Sequence, residues 1–193
     1  MIDLSSYRII LASRSPRRNE LLKGLGFDFE VMTKDTPEDF EPTLTGSQVA
    51  SLLSLRKSEA FLASELPPDF LLITADTVVW LNEKILNKPE NEEEAYEMLQ
   101  ALSGNHHTVY TGVCLRSKQL KVQFCESSEV YFSKLSNEQL RYYIHHYKPY
   151  DKAGSYGIQE WIGYVGISHI EGSYTNVMGL PTQRLYTQLA KFI

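Results

Sequence analysis

Apolar and polar positions switch between helical and strand periods along the chain, and their order predicts the elements. Arg8-Ile9-Ile10-Leu11-Ala12 is a short buried-strand pattern that runs into Ser13-Arg14-Ser15-Pro16. A helix is expected from 17 to about 25, with Leu21, Leu22 and Leu25 on one face and Gly26 as its stop. Ser15 suits its N-cap and Pro16 its first helical position. The polar stretch 33–46 reads as a loop, and 47 to about 65 as a second helix ended by Pro67-Pro68. Residues 70–80 carry the strongest strand signal, and 81–86 continue it as a tight hairpin, although Asn82-Glu83 is a weaker turn pair than Asn-Gly.

Glu92 to Leu102 reads as a helix with acidic residues in its first turn and Gly104 just past its end. Stretches 107–116 and 122–132 predict two antiparallel strands. Ser136 then caps a helix over 137–147, with Gln139 placed for a capping box. A glycine-bearing loop spans 151–159, strands are expected at 162–170 and 174–178, and Pro181 opens the last helix. Helices and strands succeed one another irregularly, so the expected class is mixed α/β rather than a regular doubly wound fold.

A chain of 193 residues suits one domain, 1–193, or two small lobes sharing a cleft, with no lobe boundary marked by composition. The net charge of -5 argues against a nucleic-acid face, which needs excess Lys and Arg, but leaves room for a small anion. Cys114 and Cys125 lack any Cys-x-x-Cys or Cys/His spacing and read as reduced thiols in strands. The opening stretch lacks the basic start of a signal peptide, and no apolar run approaches the roughly 20 residues a membrane helix needs. Together these predict a cytoplasmic protein with neither a nucleic-acid nor a membrane partner.

Several residues resist a purely local account. Arg14, Arg17 and Arg18 crowd the start of the first helix, where the macrodipole disfavours cations. Either they are solvated and point away, or a bound polyanion completes the site with the free backbone N–H groups. Asp76 interrupts an apolar strand, where a carboxylate is costly unless it meets a cation, a metal or several donors. Lys57 and Lys88, taken singly, read as surface lysines. The glycines of the 151–159 loop permit close backbone approach to a ligand, and equally suit a plain surface loop. Glu38 lies in an acidic loop with Asp35, Asp39 and Glu41; such clusters are mostly solvated, yet one Glu with a strand Asp suits Mg²⁺. The adjacent pairs His106-His107 and His145-His146 diverge in either kind of element and make poor metal ligands, and the Tyr142, Tyr143 and Tyr147 cluster reads as core or subunit contact.

Leu11-Ala-Ser-Arg-Ser-Pro-Arg-Arg-Asn-Glu-Leu-Leu22 resembles the N-terminal signature of the Maf (septum formation inhibitor) family. Five further blocks follow in the family's order: Ala75-Asp76-Thr77-Val78, Asn87-Lys88-Pro89, Ser103-Gly104 with Val109-Tyr-Thr-Gly-Val113, Asp151 through Gln159, and Gly172 through Pro181. The resemblance implies an α/β fold with a mixed sheet, related to that of the inosine triphosphate pyrophosphatases, with a nucleotide cleft between two lobes and a homodimer in many members. It implies hydrolysis of a nucleoside triphosphate to the monophosphate and pyrophosphate, with a divalent metal (Mg²⁺ or Mn²⁺). Matched to this chain, Asp76 is the implied catalytic base, and Glu38 shares the metal with it. The Ser13, Ser15, Arg17 and Arg18 block with Lys57 and Lys88 surrounds the phosphates, and Lys152 offsets charge on the leaving pyrophosphate. Arg17, Thr77 and Gln159 match the subgroup acting on dTTP and UTP. The sister subgroup, linked to 7-methyl-GTP, carries tryptophan and an acidic residue at the first two positions. The alternatives are the same chemistry on 7-methyl-GTP or another modified nucleotide, and a nucleotide-sensing inhibitor of septum formation.

Overall fold

The computed structural model describes residues 2–193. Its frame is a seven-stranded mixed sheet in the order β2-β1-β3-β5-β6-β7, with β4 pairing β3 off that path. The strands are β1 (Arg8–Leu11), β2 (Glu30–Val31), β3 (Phe70–Leu81), β4 (Lys84–Leu86), β5 (His106–Arg116), β6 (Lys121–Phe132) and β7 (Ile167–Glu171). The first strand runs parallel to β2 and β3, and the remaining pairs are antiparallel. The central β3 is buried along nearly all its twelve residues, which accounts for its unbroken apolar run. The class is therefore mixed α/β, as the irregular alternation predicts.

One asymmetry of β3 sets the rest of the molecule. On one side β5 pairs with it continuously from Leu72 to Trp80. On the other, β1 pairs only as far as Leu11↔Ile73, and β4 begins only at Val79↔Leu86. Among the described residues, nothing pairs with the intervening stretch on that side, and Asp76 and Thr77 lie within it.

The helices are α1 (Pro16–Gly24), α2 (Gly46–Glu59), α3 (Glu92–Leu102), α4 (Asn137–Tyr147), α5 (Trp161–Gly166), α6 (Tyr174–Met178) and α7 (Thr182–Leu189). Their caps follow the expected chemistry: the Ser15 hydroxyl accepts from Arg18 N, and α4 carries the full Ser136–Gln139 box. A second box, Thr45–Gln48, opens α2. This helix lies very close to the sheet: a Cβ on Gly112 of β5 would fall 2.2 Å from the Ala50 carbonyl oxygen. Only glycine permits that depth. The Asn82-Glu83 turn does close the β3–β4 hairpin, with both residues in the left-handed region at φ 49° and 62°. That is the primed hairpin geometry, which glycine would adopt with less strain.

Three sequence expectations are corrected. The second helix ends at Glu59 rather than near 65, and only a 3-10 turn (Ala63–Glu65) follows. Phe61 turns into a core cluster with Ile10, Phe70 and Leu72, while Lys34 and Arg116 donate to the carbonyls of Ala60 and Phe61 at 3.0 and 2.7 Å. Tertiary donors thus replace the next helical turn. The stretch 162–170 is not one strand: α5 fills most of it, and β7 starts at Ile167. A Cβ on Gly163 would meet the Ile158 carbonyl oxygen at 1.8 Å, so this glycine lets the short helix fold onto the preceding loop. Residues 174–178 are a helix, capped by the Ser173 hydroxyl and stopped by Gly179 at φ 115°. Short apolar runs do not distinguish strand from buried helix; the Ser173 cap decides the second case, whereas α5 has no side-chain cap.

Two core clusters share one face of the sheet, toward opposite ends of its strands: Leu22, Ile73, Leu115 and Leu185 belong to one, and Leu99, Val130, Tyr143 and Ile144 to the other. Helix α4 buries Tyr143 and leaves Tyr142 and Tyr147 exposed. Cys114 and Cys125 are free thiols in β5 and β6, and burial pushes both above the ordinary range. Among the described residues, no helix is long and apolar enough to cross a membrane.

His107 of β5 is buried, with Nε2 2.8 Å from the Tyr156 hydroxyl. Burial, with a smaller contribution from His106, pushes its pKa down to about 3. The fold therefore keeps a neutral imidazole while the unfolded chain takes up a proton near 6.5. Stability is lost as pH falls from 6.5 toward about 3. At pH 5 the cost from this one group is about 2 kcal/mol. Unfolding free energies from urea titrations at pH 7 and pH 5 should differ by that much less in His107→Gln than in the parent; equal losses in the two proteins contradict the prediction.

Candidate active site

The unpaired stretch of β3 forms the floor of a cavity of about 810 Å³. That is within the usual range for a small-molecule or cofactor site. Its walls come from the start of α1, the 33–40 loop, one face of α2, the end of β4 with Asn87 and Lys88, the 151–159 loop and the end of α6. Every site residue expected from the sequence lines it: Ser13, Ser15, Arg17, Arg18, Glu38, Lys57, Asp76, Thr77, Lys88, Lys152 and Gln159.

The three arginines of α1 separate once folded. Arg14 points into solvent and pairs with the exposed Asp35 at 2.9 Å. Arg17 pairs with Asp151 at 3.4 Å across the cavity wall. Arg18 turns inward, donating through Nε to the Gly179 carbonyl at 2.8 Å and through Nη2 to the Thr77 hydroxyl at 3.0 Å. Ser13 Oγ accepts from Arg18 Nη1 at 3.5 Å and from Ser15 N at 3.2 Å. Among the described residues no carboxylate lies within ion-pairing distance of Arg18. Burial lowers its pKa, with Arg17 adding to the effect and Asp76 and Glu38 opposing it. A half-buried guanidinium thus faces the cavity with no ion-paired carboxylate among the described residues.

Opposite it stands a carboxylate pair. Asp76, 8% exposed, forms an ion pair with Lys57 of α2, whose ammonium also reaches Glu38 Oε1 at 3.0 Å. Lys57 is not a surface lysine: its side chain is only 20% exposed, because α2 lies so deep on the sheet that this face meets β3. Lys88, 57% exposed, stays at the rim, 3.9 Å from Glu38. Burial acts to raise the Glu38 pKa, but Lys57, through its charge and hydrogen bond, with Lys88 and Arg18, holds it below the usual carboxylate range. Sequence reasoning missed Arg56, which donates to the carbonyls of Pro37 and Asp39 at 2.9 and 2.7 Å and so pins the loop on both sides of Glu38. An arginine one residue before Lys57 was the available signal.

The 151–159 loop is fastened from below. Lys152, 7% exposed, lies between Asp151 at 2.7 Å and Glu160 at 3.2 Å. The Tyr143 hydroxyl donates to Glu160 and accepts from Gly157 N at 3.0 Å. Burial would raise Asp151, but the hydrogen bond and charge of Lys152, with Arg17, keep it low. Gln159 ends the loop with its amide oxygen buried and without a hydrogen-bond partner. Glu160 and Tyr143 were not read as site-supporting residues, since neither falls in a motif. Thr111 and Asn176, buried behind Thr77, lie inside two of the sequence blocks but were given no role there.

Whether these residues suit a metal is tested by Lys57 itself. One cation already touches both Glu38 and Asp76, so the two carboxylates can share a single positive ion. Among the described residues, no group of three His, Cys, Asp or Glu could hold a metal alone. Two carboxylates with open positions fit Mg²⁺ or Mn²⁺ arriving with phosphate oxygens and water, and do not fit a closed structural site.

Comparison with known proteins agrees along the chain. A family model described as Maf-like protein matches residues 8–192. A dTTP/UTP pyrophosphatase of Bacteroides thetaiotaomicron is 50% identical over 190 residues, covering 98% of each chain. One of Phocaeicola vulgatus is 52% identical over 190 residues, again 98% of each, and one of Porphyromonas gingivalis 49% over 195 residues, 100% of this chain and 98% of the other. Among solved structures, the Staphylococcus aureus Ham1 protein overlays 65% of this chain and 71% of its own at a TM-score of 0.46 and 17% identity. With a family match that starts at β1 and ends in the last turn, and relatives about half identical from end to end, this chain belongs to the Maf-like protein family.

Proposed function

We propose that this chain is a nucleoside triphosphate pyrophosphatase that hydrolyses dTTP and UTP to the monophosphate and pyrophosphate, clearing pyrimidine nucleotides in the cytoplasm. The observation that carries the reading is the cavity's charge layout: Arg18, held by the neutral acceptors Gly179 O and Thr77 Oγ1, on one side, the Asp76–Lys57–Glu38 group on the other. The names of the relatives support the reaction and the substrates. In this reading the chain is one domain whose two lobes flank the cavity.

The triphosphate carries about four negative charges near neutral pH, and phosphoryl transfer is promoted mainly by positioning and charge stabilisation. Arg18 and the N-terminus of α1, with Ser13 and Ser15, bind phosphate oxygens; Arg17, Lys57 and Lys88 offset charge growing on the leaving pyrophosphate. Lys152, neutralised from both sides, contributes by holding the loop that carries Gln159. Asp76 orients the water that attacks the α-phosphorus and takes its proton as the bond to the bridging oxygen breaks, that oxygen leaving with pyrophosphate. A divalent cation held by Glu38 and Asp76 would supply Lewis-acid polarisation of phosphate oxygens. The Gln159 amide, at the cavity wall, offers both donor and acceptor to the O/N–H edge of uracil or thymine.

Asp76→Asn keeps the shape and removes the base. It should lower kcat on dTTP by at least about 10²-fold while titration calorimetry still detects nucleotide. Unchanged turnover would exclude Asp76 from the chemistry. Gln159→Glu withdraws the donor and should lower kcat/KM for dTTP and UTP by about tenfold or more, relative to dCTP. Equal effects on all three would take Gln159 out of base recognition.

A further inference from the structure

Thr77 lies on the cavity floor, and its hydroxyl has neighbours whose proton directions are forced. The Asn176 backbone carbonyl can only accept, so Thr111 Oγ1, 2.9 Å away, gives it its single proton. Thr111 Oγ1 is also 3.0 Å from Thr77 Oγ1 and has no second proton, so Thr77 donates to Thr111. A guanidinium only donates, so Thr77 accepts from Arg18 Nη2 at 3.0 Å. The chain runs one way: Arg18 to Thr77 to Thr111 to Asn176.

The far end of this chain is rigid. Asn176 is fully buried, and its Nδ2 donates to Val109 O of β5 and Ser128 Oγ of β6, both at 3.0 Å. Arg18 Nε is held separately by the Gly179 carbonyl, three residues on. Besides the long contact from Nη1 to Ser13 Oγ at 3.5 Å, the guanidinium therefore has two shorter anchors, one direct and one through two hydroxyls. Thr111 is fully buried and touches no cavity space.

We infer that Thr111 is a positioning residue for Arg18, and that Thr77 orients this guanidinium instead of offering its proton to the nucleobase. The inference rests on the reading of Arg18 as a phosphate-binding group. Without the Thr111 hydroxyl, the Thr77 proton loses its inward acceptor and turns toward Arg18, where it displaces the hydrogen bond that fixes Nη2. Arg18 would hold phosphate equally in the bound and reacting states, so the loss falls on affinity.

The test is a double-mutant cycle with Thr111→Val, which keeps the shape and removes the hydroxyl, and Arg18→Ala. KM and kcat for dTTP are measured with Mg²⁺, together with the dissociation constant of an α,β-methylene analogue of dTTP. Thr111→Val should raise both KM and that constant about tenfold, the loss of one charge-assisted hydrogen bond, with kcat within about twofold. Thr111→Ser should restore both, and Thr111→Val should change nothing further in the Arg18→Ala background. Unchanged affinity, failure of serine to rescue, or an undiminished effect without Arg18 overturns the inference. If Thr111→Val does not fold, Thr77→Val in the same cycle decides it. A parent protein that binds the analogue but does not hydrolyse dTTP would defeat the proposed reaction, and the binding arm of the cycle would still judge Thr111.

Discussion

The ion pair between Asp76 and Lys57 is the contact on which the site depends. Asp76 sits within a buried strand, where an unpaired carboxylate would cost several kcal/mol, and removing either partner of a buried pair costs about 3–5 kcal/mol. The pair exists because α2 reaches the sheet closely enough for a mid-helix lysine to meet the strand. That depth is set at Gly112, where any larger residue would strike Ala50. Lys57 also draws in Glu38, whose loop is fixed by Arg56 from the preceding position of the same helix. A glycine in β5 thus governs the spacing of two carboxylates contributed by a strand and a loop.

The second constraint is the interruption in pairing along one side of β3. Had β1 or β4 been longer by a few residues, the ladder would have closed over Asp76 and Thr77 and left no cavity. The open stretch lets the N-terminus of α1 face the strand, and the arginines then bring positive charge to an end of the helix already positive by its dipole. Such an arrangement is unfavourable in the empty protein and favourable around a polyanion. Arg14 escapes to solvent, Arg17 leans on Asp151, and Arg18 is kept in place by neutral acceptors alone.

Much of this was legible in the sequence where the signal is local. The bounds of α3 follow from its acidic first turn and Gly104, the start of α4 from Ser136 and Gln139, and the start of α1 from Ser15-Pro16, because end signals act within a turn. Asp76 announced itself as a polar break in an apolar run. The α5 and α6 segments were misread because five or six apolar-rich residues fit either period. Lys57 looked like a surface residue because its burial is decided by a glycine more than fifty positions away. Arg56, Thr111, Glu160 and Asn176 carry no local anomaly; their importance comes only from what the fold sets beside them.

In the proposed reaction this cavity cleaves the α–β bond of a pyrimidine nucleoside triphosphate. The most direct measurement is pyrophosphate release by the purified protein with Mg²⁺ or Mn²⁺ across dTTP, UTP, dCTP, dATP, dGTP and 7-methyl-GTP. Metal-dependent turnover selective for dTTP and UTP is the predicted result. Turnover of 7-methyl-GTP in their place would keep the chemistry and contradict the assigned substrates. Binding of nucleotides without turnover of any would contradict the claim itself and favour a nucleotide-sensing role in septum formation.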